Sequence, residues 1–239
     1  MLVPGNRGQH MDNGFNPLGA LTNWVRGLAC TVGLLVAGNI CTDLYVVHLL
    51  RQIRDGTVDN DGMLGIGLLG AARLQGLVNV AYALFFLANI VLFFVWLHRA
   101  ARNVRALGAT SLEFTPGWAV GYFFIPVINL VMPYLAVREI WQHSRPMAGR
   151  GSGNLPVLAW WLTYLAASIV TDIKTVMMHD AHGLDASIHV AYVEVVNMAL
   201  MLIASLFFIH LVGRIWHLQE SARHSQVRQL PPLPSVASA

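Results

Sequence analysis

The chain is 239 residues long, 56% hydrophobic and 11% charged, where a soluble domain has roughly 45–50% and 25%, and this excludes an ordinary soluble globular protein. Its formal charge of +3 would point to nucleic acid only if the bases formed one stripe. They sit instead in small groups between apolar runs, so the expected environment is a lipid bilayer and no nucleic-acid partner is expected.

Residues 1–20 are rich in Gly, Asn and Pro without periodicity and read as a loose tail. A single membrane helical domain is expected over residues 21–216. Its first span, residues 27–50, is too long for a signal-peptide core and has no small-x-small cleavage site, so it reads as a retained signal anchor. Cys30 and Cys41 lie in this run about 16 Å apart along a helix. They cannot bridge each other, so no disulfide framework exists. Residues 51–62 (RQIRDGTVDNDG) are polar, and residues 63–74 form a Gly-interrupted apolar piece too short to span, expected at the interface. The second span, residues 75–97, should continue as a helix through residues 98–107, ending at Gly108.

Thr115-Pro116 is a helix start, with Thr as N-cap and Pro in the first turn. The apolar run of residues 117–137 that follows contains Pro126 and Pro133, and each removes an internal hydrogen bond. Beyond Pro133, Leu135, Val137, Ile140 and Trp141 alternate with Arg138, Glu139 and Gln142 as in an interfacial helix. A basic linker (SRPMAGRGSGNL, residues 144–155) leads to spans at residues 157–178 and 190–213, then to a cytoplasmic tail at 217–239. The final LPPLPSVASA is expected to be solvated; a PPLP ligand for an aromatic groove is the rarer alternative.

Counting bases sets the topology. With all five runs crossing and the N-terminus inside, six Lys+Arg lie inside and nine outside, against the positive-inside rule; the reverse orientation gives nine and six. If the third run enters and leaves on one side, eleven lie inside and only Arg51, Arg54, Arg73 and Lys174 outside. The expected fold is therefore all-α, with four transmembrane helices plus one proline-broken re-entrant or interfacial segment (residues 116–142) and both termini cytoplasmic. Five transmembrane helices is the alternative. Small residues every four positions, Ala29, Gly33, Ala37 and Cys41 on the first span and Ala159, Thr163, Ala167 and Thr171 on the fourth, mark bundle seams.

Residues 93–109 read FFVWLHRAARNVRALGA and residues 114–141 read FTPGWAVGYFFIPVINLVMPYLAVREIW. This resembles a family of bacterial membrane proteins catalogued as a domain of unknown function. In that family a W-x-x-R-A-x-x-N-x-x-x-L-G line precedes a P-G-W-x-V-x-(aromatic)-x-x-P-x-x-N-L-x-x-P-Y segment. The resemblance covers about residues 75–215 and implies a multi-pass protein of the bacterial plasma membrane without an assigned activity. Its signature positions here are Trp96, Arg99, Asn103, Pro116, Trp118, Pro126, Asn129 and Pro133. Trp96, Arg99 and Asn103, spaced i, i+3, i+7, should share one helix face at the inner boundary. Trp96 would sit at headgroup level. The structural reading has Arg99 or Asn103 satisfy backbone freed by Pro126 or Pro133, or pair with Glu139. The functional reading is a site for an anionic lipid headgroup or a membrane partner.

Asp43, Asp172 and Glu194 all fall in the outer third of the expected bundle, with Lys174 beside them. Carboxylates in hydrocarbon must face the interior, be protonated or be paired. Asp172 and Lys174, two residues apart, point to different sides of their helix; an interhelical ion pair with Lys174 is the plainer reading, and a proton or cation site the sharper one. Between the last two spans, His179, His182, Asp185 and His189 could ligate a divalent metal, with His48 as a further ligand, although a solvated His-rich turn is the simpler account. His210 is expected as a satisfied polar group inside the bundle.

No phosphate-binding loop, nucleophile elbow or dinucleotide fingerprint is present. The leading expectation is a non-enzymatic accessory or sensing component, without cofactor, whose basic cytoplasmic face meets anionic lipid or a protein partner, including a second copy of itself. A small proton or cation transporter using the intramembrane carboxylates is the alternative, and a membrane metalloprotein built on the outer histidines the second alternative.

Overall fold

The computed structural model describes residues 14–57, 63–145, 153–180 and 182–228. Asp59, Asp61 and the PPLP tail lie outside these. Six α-helices and two 3-10 turns follow in order: α1 (Gly19–Arg54), α2 (Met63–Ala106), α3 (Pro116–Gly121), turns at Tyr122–Phe124 and Ile128–Leu130, α4 (Met132–His143), α5 (Leu155–Asp180) and α6 (Leu184–Arg228). Four of them, α1, α2, α5 and α6, are long and apolar enough to cross a membrane. An all-α membrane fold results because in lipid each backbone N–H and C=O must be satisfied within its own helix.

The long helices overrun the expected spans. α1 starts eight residues before the first expected span and α6 runs to Arg228, into the stretch expected as tail. Residues 63–74 are no separate interfacial piece. They form the first turns of α2, because nothing in them forbids a helix and glycine costs only about 1 kcal/mol each in a helix interior.

The helices pack in the neighbour order α2, α1, α6, α5. The seam between α1 and α6 uses the small-residue stripe: Ala29 and Gly33 are buried, and Leu202 lies against Gly33 where a Cβ would stand 3.6 Å from it. Cys41, the last of that stripe, is exposed instead. On α5, Ala167 is buried in the corresponding seam.

α2 and α5 make little direct contact, and the proline-broken segment fills the gap between them at one end of the bundle. Its longest helix has twelve residues, too few to cross roughly 30 Å of hydrocarbon, so the spanning helices number four among the described residues. Thr115 accepts a hydrogen bond from the Trp118 amide (3.3 Å), capping α3 as its sequence predicts. After Pro126 the chain turns sharply. The Ile128 N–H donates to the Pro126 carbonyl (2.8 Å) around Val127 at φ 68°, a strained γ-turn that β-branched residues rarely adopt. The indole of Trp161 donates to the Leu130 carbonyl (3.0 Å). That bond, and not Arg99 or Asn103, serves a carbonyl of the broken stretch.

The apolar face of α4 does not lie on lipid as an interfacial helix would. Ala136, Val137, Ile140 and Trp141 are buried in the protein core. Beside them Phe93 sits at the centre of an aromatic cluster, edge-on to Phe208 (5.1 Å), Phe123 (5.9 Å) and Trp160 (6.2 Å). Edge-to-face pairs of this kind stabilise beyond their buried area by about 0.5–1.5 kcal/mol.

Candidate functional site

The end of the bundle where α1 begins and α2 ends is held by a polar node. Asn103, fully buried, accepts from the Asn16 N–H (2.8 Å) and donates to the Asn16 carbonyl (2.8 Å) and to Gln219 of α6 (3.2 Å). Gln219 in turn donates to the Ala100 carbonyl (3.1 Å) and to Ser144, just past α4 (3.0 Å). One turn and more up α2, the indole of Trp96 donates to Thr22 of α1 (2.9 Å). The ends of α2 and α4 therefore stand at one level, and the broken segment begins and ends on the same side of the bundle.

These contacts correct the expected roles of the signature residues. Trp96 is 1% exposed and is a core residue, not a headgroup-level anchor. Glu139 does not pair with Arg99 or Asn103; its carboxylate accepts from the backbone N–H groups of Glu113 and Phe114 (3.2 Å to the latter) and so fixes the α2–α3 loop. Pro116 opens α3 and Pro133 lies in the first turn of α4. Trp118 is exposed and packs on Tyr122.

Arg99 does not share the buried face of Trp96 and Asn103. At roughly 100° per residue it is turned some 60° away from Trp96, enough to leave it exposed. With His98 and Arg102, also exposed, it lines an open cleft of about 540 Å³ whose other walls include Asn16, Phe94 and Val120. Among the described residues neither Arg99 nor Arg102 has a carboxylate within ion-pair distance. Neighbouring bases are engaged: Arg105 donates to the Phe114 carbonyl (2.7 Å), and Arg223 stacks over Phe15. The cleft is thus a cationic concavity whose guanidiniums remain available to an anion.

Toward the opposite end a polar layer crosses all four spans. Asp43 of α1 is buried and accepts from Gln75 of α2. One turn along each helix, Asn39 donates to Asn79 (3.0 Å). Lys174 of α5 pairs with Glu194 of α6 (2.7 Å), and Thr171 donates to Asn197 (3.3 Å). Lys174 is thus in an interhelical ion pair with Glu194, while Asp172, two residues from Lys174, points away and is exposed. The amides of this layer were legible as repeats within apolar runs: Asn39 and Asp43, Gln75 and Asn79, Glu194 and Asn197 each recur one helical turn apart.

His179, His182, Asp185 and His189 are all exposed, as is His48. Among the described residues, Asp185 forms an ion pair with Arg54, at 3.9 Å. Among the described residues no three His, Cys, Asp or Glu side chains converge as a metal-holding group. His210 is exposed on α6 rather than enclosed in the bundle.

A family model described as Domain of unknown function (DUF4328) matches residues 68–217, a stretch that includes the broken segment and every named wall of the cleft but Asn16. No curated protein and no solved structure matches the chain.

Proposed function

Since the chain belongs to this DUF4328 family, we propose that it is a non-enzymatic four-span component of the bacterial plasma membrane, both termini cytoplasmic, that binds anionic lipid headgroups at His98, Arg99 and Arg102 in an accessory or sensing role. The observation that carries this reading is the exposed pair of guanidiniums, without carboxylate partners, in a cleft at the basic end of α2. The span's apolar residues give way to bases just there, the pattern of a helix that leaves hydrocarbon for the headgroup region. A guanidinium fork matches a phosphate bidentately. The cytoplasmic leaflet attracts each such base by about 1 kcal/mol.

A sensing role is supported by what stands on the other side of the same helix turn. Arg99 and Arg102 alternate with Ala100 and Asn103, which bind Gln219 and Asn16, and Gln219 in turn holds Ser144. A headgroup drawn to the cleft pulls on the helix turn that joins the N-terminal stretch, α4 and α6.

The test is lipid preference of the purified chain in nanodiscs of phosphatidylglycerol mixed with phosphatidylcholine, with inorganic phosphate as competitor. The wild type should enrich phosphatidylglycerol, and Arg99→Gln/Arg102→Gln should lose about fivefold in preference per charge removed. Displacement by phosphate alone would identify a free-anion site. An unchanged preference in the double variant would overturn the reading.

A further inference from the structure

Where α2 and α5 stand apart, the bundle leaves a half-open cavity of about 330 Å³. Its walls are aromatic and apolar: Phe86 and Phe93 of α2, Trp160 and Tyr164 of α5 and Ala204 of α6, with Phe123 and Phe124 of the broken segment across one end. Phe124 is 70% exposed, so this wall faces lipid. Phe94 lines both this cavity and the cationic cleft. Along α2 the cavity runs from Phe94 to Phe86, about 12 Å of helix rise, starting about 7 Å deeper than Arg99. With phosphate at Arg99, that depth belongs to acyl chain.

One polar group marks the near end. Asn129 lines the cavity, its Oδ1 is buried without a hydrogen-bond partner, and its amide makes no side-chain hydrogen bond. Trp161 binds the next residue's carbonyl, which places Asn129 beside the first turns of α5. An Asn N–H there is a donor of the kind that a glycerol-ester carbonyl accepts, between phosphate and chain. Asn89, deeper in, has its N–H committed to the Val25 carbonyl (3.0 Å).

We infer that the cavity holds an acyl chain of one anionic phospholipid whose phosphate occupies the His98–Arg99–Arg102 cleft, so that cleft and cavity form one lipid site. The inference rests on the proposed headgroup reading. Its occupant follows from continuity: the cavity borders the lipid-facing surface, is lined mostly by aromatic and apolar side chains, and shares the Phe94 side chain with the cationic cleft.

The experiment counts lipids retained by the full chain through delipidating detergent washes, using native mass spectrometry, and measures quenching of tryptophan fluorescence by brominated acyl chains. The wild type should keep about one anionic lipid per chain and be quenched more by brominated phosphatidylglycerol than by brominated phosphatidylcholine, through Trp160 and Trp161. Ala204→Phe, which fills the cavity, should cut retained lipid at least tenfold while leaving the Arg99/Arg102-dependent response to inorganic phosphate or glycerol phosphate unchanged. Ser205→Leu on the same wall serves if Ala204→Phe fails to fold. Retention unchanged in a folded cavity-filling variant would overturn the acyl site and leave the headgroup reading standing. Retention unaffected by Arg99→Gln/Arg102→Gln would instead defeat the headgroup reading. Equal quenching of the wild type by the two brominated lipids contradicts the inference without recourse to any variant.

Discussion

Lys174→Met is expected to destabilise the bundle by about 2–3 kcal/mol, less than for a fully buried ion pair, because one member of a partly buried pair is left without its counter-charge. Lys174 and Glu194 have side chains only 21% and 18% exposed, and Asp43 lies close enough to feel both charges. Removing the ammonium would leave Glu194 and Asp43 as neighbouring carboxylates in an apolar surround. Lys174→Met combined with Glu194→Leu should recover most of the loss, since an ion pair replaced by packed apolar residues is often neutral. Thermal and denaturant unfolding in detergent reads both. A single variant as stable as the wild type would mean that water reaches the layer. A proton or cation flux present in reconstituted wild type and lost in folded Asp43→Asn would then make the layer a transport element.

Asn103→Leu is expected to cost about 3 kcal/mol, because three hydrogen bonds go and the buried Gln219 loses one of its partners. The cost should be shared out in space, not confined to α2. Asn16 would come loose from the end of the bundle, and proteolysis near the N-terminal stretch should accelerate together with the fall in melting temperature. Arg99→Ala, four residues away but exposed, should change stability by under about 0.5 kcal/mol. If the two substitutions had equal effect, the node would not be what holds this end together.

The spans, the capped start at Thr115 and the break at Pro126 and Pro133 could be read from hydropathy and proline placement, since the bilayer leaves so few options for backbone polar groups. What could not be read was which face of α2 is inward. A spacing of i, i+3, i+7 groups Trp96, Arg99 and Asn103 loosely on one side, yet the roughly 60° from Arg99 to Trp96 and roughly 40° to Asn103 separate a buried indole and amide from an exposed guanidinium. Partner choice across helices was also hidden: Lys174 pairs with Glu194 because α5 lies on α6, a fact about packing order that no single helix contains. Gln219 was overlooked because it follows the last apolar run, where a polar residue looks like ordinary surface. It is 1% exposed because α6 continues as a helix beyond that run and packs on α2 and Ser144.

On the proposed topology the broken segment returns to the side it started from and the basic cleft lies in the cytoplasm. Single cysteines at Ser111, Leu155, His182 and Ser225, introduced into a Cys30→Ser/Cys41→Ser chain and probed with a membrane-impermeant maleimide, test it directly. All four positions are exposed. In intact cells the His182→Cys chain alone should react, with Ser111→Cys, Leu155→Cys and Ser225→Cys labelled only after the membrane is opened. Labelling of Leu155→Cys from outside while Ser111→Cys stays protected would mean that the segment crosses, and would contradict the four-span arrangement on which the cleft's orientation depends.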